Sequence, residues 1–263
     1  MTLLDDILRE KRRSLGALAE SLEKSPAFSD APRPLAPHLR RNAGAPLGLC
    51  LEHKRRSPSA GPLDTTLDLA SRVRAYAGSG AKLVSVLTDT PFFGGTYDDL
   101  LGARVALEGK PTRVLAKEFV VDEVQVRAAR HFGADAVLLV VRLVEPERLG
   151  ELVASARELG LGALVEVTTE EELEIALSFG ADVVGVNARD LDTLRMDPAR
   201  ARRVLDAVPS GIVKVHLSGL KLPEDVAGVA RTSADAALIG ESIMREADPR
   251  PLLRAFAEAA VVR

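Results

Sequence analysis

The chain repeats one pattern eight times: a short run rich in Val, Leu and Ala, then a longer amphipathic stretch. The runs are PLGLCLEHK (46–54), AKLVSVLTD (81–89), TRVLAKEF (112–119), DAVLLVVRL (135–143), GALVEVT (162–168), DVVGVNA (182–188), IVKVHLSG (212–219) and DAALIGES (235–242). Each has the length of a strand and is apolar on both faces, as a parallel sheet covered on both sides requires. Between the runs the period becomes helical. In VEPERLGELVASARELG, Leu149, Leu152, Val153, Ala156 and Leu159 recur at steps of one to four residues, mostly three or four, and Gly160 predicts the C-terminal cap. In TTEEELEIALSFG, Thr168 or Thr169 predicts the N-cap, acids fill the first turn, and Gly180 predicts the stop. Strand and helix alternating without a break in composition predict the α/β class, as a single (β/α)8 TIM barrel, a fold that runs to roughly 250 residues as one domain. An open doubly wound sheet is the alternative, but no G-x-G-x-x-G follows the first run.

The residues before the first run are extra. Positions 3–22 have apolar residues at helical spacing, and PAFSDAPRPLAPHLRRNAGAP reads as a Pro-rich connection. The expected division is a helical extension over 1–45, packed on a barrel over 46–263. Composition narrows the partners. With 28% charged residues and a net charge of −3, no broad electrostatic attraction to nucleic acid or to an anionic membrane is expected. No apolar run approaches the roughly 20 residues that span a bilayer. The acidic, amphipathic N-terminus is unlike a secretory signal, and the lone Cys50 has no partner for an internal disulfide. The expectation is a cytoplasmic protein, monomeric or weakly homo-oligomeric.

In a barrel of this kind chemistry gathers at the C-terminal ends of the strands, and alternate residues point inward. On the first run Cys50, Glu52 and Lys54 share one face, and Leu49, Leu51 and His53 the other. The strand in the third run is expected to end in Lys117, that in the fifth in Glu166, that in the sixth in Asn187 and that in the seventh in Ser218. One such residue reads as a rim salt bridge. Two lysines, two carboxylates and an amide converging on one rim read as a site, because each would cost several kcal/mol to bury unpaired. Opposed Lys and Glu groups in a partly dry pocket can serve as general acid and base. Gly219, closing the seventh run, and Gly240, in the eighth, let backbone N–H groups approach an anion where barrels frequently hold phosphate.

The pieces EHKRRSPSAG, SVLTDTPFFGGTYDDL, VLAKEF, GADAVLLV, LVEVTTEEELEIAL, GVNARDLDTL and LIGESIM stand in an order that resembles the indole-3-glycerol phosphate synthase family, over nearly the whole chain. The resemblance implies a lyase of tryptophan biosynthesis that acts on a phosphosugar, 1-(2-carboxyphenylamino)-1-deoxyribulose 5-phosphate, by ring closure, decarboxylation and dehydration. It implies Lys117 as the general acid at the sugar carbonyl and Glu166 as the group that handles protons in the dehydration. Lys54 would meet the substrate carboxylate, with Glu52 orienting it. Asn187 and Arg189 would support the substrate and the polar network. Phe93, Phe119 and Pro58 would hold the aromatic ring. Ser57, Ser218, Gly219, Gly240 and, through its backbone, Glu241 would lie at the phosphate and sugar. No metal or organic cofactor is implied.

Three positions depart from the family. Glu118 replaces an aspartate, His53 replaces an aliphatic residue and should face the helices, and Leu217 replaces a glutamate of the polar network. The last supports an alternative, a catalytically weak paralogue that binds a sugar phosphate or a protein. By simple alternation His216 shares a face with Ser218, which would let it reach the site in place of the lost carboxylate. A barrel isomerase using Cys50 is a third reading, but that thiol lies deeper than Lys54 and is expected to be core.

Overall fold

Among the residues that the computed structural model describes, 3–57, 61–63 and 66–261, eight parallel strands close into one barrel. In chain order they are β1 Gly48–His53, β2 Leu83–Leu87, β3 Arg113–Lys117, β4 Ala136–Val140, β5 Gly162–Val167, β6 Val183–Asn187, β7 Val213–Leu217 and β8 Ala236–Ile239. Each pairs with its sequence neighbours, and β1 closes the ring on β8 with Gly48 opposite Ala236 and Leu51 opposite Ile239. Every strand falls inside one of the apolar runs. The runs overshoot because packing outlasts the ladder: Val141 and Leu143 stay buried in a 3-10 turn after β4.

The two faces of the strands feed two apolar layers. Cys50, Leu115, Leu138, Leu164, Val215, Leu217 and Leu238 fill the barrel. Leu49, Leu51, Val86, Val165 and Ile239 face the surrounding helices. The helices start and stop on local chemistry. Helix Pro146–Glu158 is followed by Gly160 at φ 73°, the left-handed position its Cα without a side chain tolerates. Thr169 rather than Thr168 caps Glu170–Ser178, its hydroxyl accepting from the Glu172 N–H at 3.3 Å.

The N-terminal segment touches both ends of the barrel. Helix α1, Leu3–Lys24, brings Leu4 and Ile7 to the C-terminal mouth. The chain then descends the outside wall, where the Phe28 N–H donates to the His131 carbonyl at 2.8 Å. Leu35 and Leu39 join the interior cluster and stop the N-terminal end, with Leu35 so close to β5 that a Cβ on Gly162 would sit 2.5 Å from its own. Two buried aspartates fasten this connection. Asp135 accepts from the Arg33 and Val114 backbone N–H groups, and Asp235 from those of Arg41 and Lys214.

Candidate active site

One cleft opens at the C-terminal ends of the strands, under α1. Its lining includes Glu52, Lys54, Ser57, Phe93, Lys117, Phe119, Glu166, Asn187, Arg189, Ser218, Gly219, Gly240 and Glu241. The strands deliver the polar groups in facing pairs. Just past β1 the Lys54 ammonium lies 2.6 Å from Oε1 of Glu52 on that strand. Across the mouth Lys117, last on β3, stands 3.8 Å from Glu166 Oε2 on β5. Asn187, last on β6, donates through Nδ2 to Glu166 Oε1 at 2.7 Å, and its own Oδ1 accepts the Arg189 N–H at 2.9 Å. Phe93 and Phe119 form the apolar side, ring centroids 5.8 Å apart and planes inclined at 39°.

Burial of these charges is offset by pairing. Removing Glu52 from water would by itself raise its carboxyl, but Lys54 and then Lys117 outweigh that and hold it below the usual carboxylate range. Gly240 makes the approach possible, because a Cβ there would lie 2.3 Å from Glu52 Oε1. The charge crowded into EHKRRS therefore divides. Glu52 and Lys54 face the cleft, while Arg55 turns to Asp99 and the Gly94 carbonyl, and Arg56 to the carbonyls of Thr90 and Pro91.

All the described residues singled out from the sequence for this site come together in the cleft. Pro58 lies outside the described residues. Ser218 leaves the strand with φ 71°, followed by Gly219 at 85°, so the chain turns into the cleft after β7. That turn breaks the alternation on which His216 was expected to reach the site. His216 instead donates from Nε2 to the Ser218 carbonyl at 3.1 Å and does not line the cleft. Leu217 does point inward, filling the space left by Gly185, where a Cβ would meet it at 2.7 Å. His53, as expected, is on the opposite face of β1 from Glu52. Cys50 is fully buried and its thiol is pushed up to about 12 by burial, which leaves no nucleophile there.

Lys221, on the loop after β7, lines the cleft and was not singled out from the sequence, and neither were Lys11 and Asp89 beside the cleft. Lys11 on α1 reaches Asp89 Oδ1 at 2.7 Å and Glu118 Oε1 at 2.6 Å. Burial lowers the ammonium, yet Glu118 and Asp89 together raise it, so the lysine stays charged. The signal was present in the helix: Leu4, Ile7 and Lys11 share one face at steps of three and four, so a lysine sits on the apolar stripe. Leu191 and Leu194, on the loop after β6, and Leu220, after β7, add apolar surface to the lining.

Comparison with known proteins agrees with this geometry. The family model described as indole-3-glycerol phosphate synthase matches residues 4–256. An indole-3-glycerol phosphate synthase of Nocardioides sp. strain JS614 is 43% identical over 260 residues, 97% of each chain. Indole-3-glycerol phosphate synthase 2 of Streptomyces coelicolor is 44% identical over 239 residues, 91% of this chain and 90% of that one. Among solved structures, 3-hexulose-6-phosphate synthase from Salmonella typhimurium superposes with a TM-score of 0.64 at 15% identity, covering 81% of this chain and 98% of that one. Thiamine phosphate pyrophosphorylase from Pyrococcus furiosus gives 0.62 at 18% identity, covering 81% and 95%, and these two likenesses speak for the barrel alone. With a family model spanning nearly all of it and relatives above 40% identity over nine-tenths or more of its length, the chain belongs to the indole-3-glycerol phosphate synthase family.

Proposed function

We propose that the chain converts 1-(2-carboxyphenylamino)-1-deoxyribulose 5-phosphate into indole-3-glycerol phosphate, carbon dioxide and water, the lyase step of tryptophan biosynthesis. The observation that carries the reading is the pairing of Lys117 with a Glu166 that Asn187 already holds, at the open end of an otherwise apolar barrel. No comparison favours a protein that only binds.

The residues divide the work as follows. Phe93 and Phe119, with Pro58, hold the anilino ring, and Lys54 meets its carboxylate while Glu52 keeps that ammonium in place. Lys117 gives a proton to the sugar carbonyl oxygen as the ring carbon attacks the carbonyl carbon. The carboxylate then leaves as carbon dioxide, and its bonding pair restores the ring. Glu166 moves the protons that expel the hydroxyl as water, held for that purpose by Asn187. Arg189 supports the network through Asn187. The phosphate lies against the backbone at Ser218, Gly219, Gly240 and Glu241, near Ser57.

We further propose that residues 1–45 work with the barrel of 46–263 as one unit, since α1 walls the cleft and Leu35 stops the other end. A cytoplasmic protein, monomeric or weakly homo-oligomeric, without nucleic-acid partners or a cofactor, fits this reading. No helix among the described residues is long and apolar enough to cross a membrane. The test is direct because the sequence has no Trp. Purified chain and the anilino-ribulose phosphate should generate indole fluorescence against a background free of tryptophan. No signal at micromolar enzyme and saturating substrate would refute the reading.

A further inference from the structure

We infer that Lys11 of α1 is a positioning residue for the reaction: its ammonium holds two buried carboxylates, Asp89 and Glu118, in the geometry that sets the aromatic wall of the cleft. The inference rests on the function proposed above. Its ground is a set of contacts outside the facing pairs that the mechanism uses.

Asp89 follows β2 and Glu118 follows β3, and both side chains are buried, as is Lys11. Asp89 spends Oδ2 on the backbone N–H groups of Phe92 and Phe93, at 2.7 and 2.9 Å, capping the turn that carries Phe93. Its Oδ1 makes no directed hydrogen bond among the described residues, and the Lys11 ammonium lies 2.7 Å from it. Glu118 accepts the Phe119 N–H on Oε1 at 2.7 Å and the Thr88 hydroxyl on Oε2 at 3.1 Å. Oε1 also takes the same ammonium at 2.6 Å. One Nζ therefore ties together the two loops whose phenylalanine rings pack at a tilt, and Glu118 directly follows Lys117.

Without the ammonium, two carboxylates would face each other in a site nearly shut to water. One would have to rotate away or take up a proton. Rotation of either releases amides that fix Phe93 or Phe119, so the damage falls first on binding of the ring. A lysine that merely fastened α1 to the barrel would have a different signature. Its loss would not depend on whether residue 118 is charged.

The experiment compares the full chain with Lys11→Met, Glu118→Gln and the double variant, measuring kcat, KM and the thermal midpoint of each. Lys11→Met is expected to lower kcat/KM on the order of 10²-fold, the scale on which a misplacement of about 1 Å is felt, with most of the loss in KM because the ring wall is displaced. Adding Glu118→Gln removes the surplus charge and keeps an oxygen for the Phe119 N–H, so KM should return towards the parent while α1 still lacks its lysine. Should Lys11→Met fail to fold, the double variant decides alone: a near-parental KM supports positioning. A double variant as impaired as Lys11→Met, or a Lys11→Met variant with parental KM, would overturn the inference. A parent that neither turns over substrate nor binds indole-3-glycerol phosphate, followed by the ligand's own fluorescence, would overturn the function and this inference with it. Failure confined to the variants overturns the inference alone.

Discussion

His53 is buried on the outer face of β1 with neither ring nitrogen hydrogen-bonded among the described residues. Burial, followed by the Arg55 and Arg72 cations, outweighs Asp99 and Glu52 and lowers the imidazole from 6.5 to about 4. The neutral ring is thus the form the fold accepts. Its contribution is intact above pH 6.5 and is lost as pH falls from there towards 4, by at most roughly 1.4 kcal/mol per pH unit. His53→Leu should therefore melt higher than the parent by a margin that widens between pH 7 and pH 5; a margin constant with pH would show that the ring is not the titrating group. Leu217 poses the reverse case. It is buried against Gly185, beside Asn187, and the nearby lysines already face carboxylates, Lys54 at 2.6 Å and Lys117 at 3.8 Å. Leu217→Glu should destabilise the fold on the order of several kcal/mol at pH 8, and less at pH 5 where the buried acid takes up its proton. An equal deficit from the parent at both pH values would mean the new carboxylate had found a cation. Both residues were visible in the sequence as departures at known strand positions, but their neighbours were not. What surrounds a side chain at a strand end comes from other strands, and no local pattern carries it.

At the scale of elements, the connection before β1 is held by a device used twice. In GADAVLLV and SADAALIG an aspartate stands one residue before a strand, and each side chain accepts an N–H from the adjacent strand and another from the connection. Arg33 adds its guanidinium to Asp135, with Nη2 at 2.7 Å from Oδ2. Asp135→Ala would leave the Val114 and Arg33 amides and a guanidinium without their acceptor. It is expected to cost about 3–5 kcal/mol in urea unfolding, the usual scale for breaking a buried pair; a loss below about 1 kcal/mol would show that water replaces the carboxylate. The strands and helices themselves were legible because each has its own period and its own stop, as Gly160 and Gly180 show at φ 73° and 77°. The path of the Pro-rich segment was not. It has no period, and it is fixed by Asp135, Asp235 and a floor formed by Leu35, all distant in sequence from it or dependent on closure.

Across the whole molecule, closure of the sheet gathers the strand ends into one rim and lets a helix far from them in sequence serve as its wall. The rim was readable because inward-facing Lys, Glu and Asn interrupt runs that are otherwise apolar. The wall was not, since Lys11 makes sense only beside Asp89 and Glu118. The anion site proposed on the same rim has a bulk consequence. Inorganic phosphate should raise the melting temperature, with stabilisation approaching about 2.7 kcal/mol at a concentration 100 times its Kd; melts unchanged by saturating phosphate would count against that placement. The central claim, that Lys117 is the proton donor of a ring-closing lyase, is tested most directly by turnover of the anilino-ribulose phosphate in Lys117→Ala, followed by indole fluorescence. Turnover should fall roughly 10²–10⁴-fold, with the variant folded and still binding indole-3-glycerol phosphate. A folded variant that forms the indole product at close to the parental rate would contradict it.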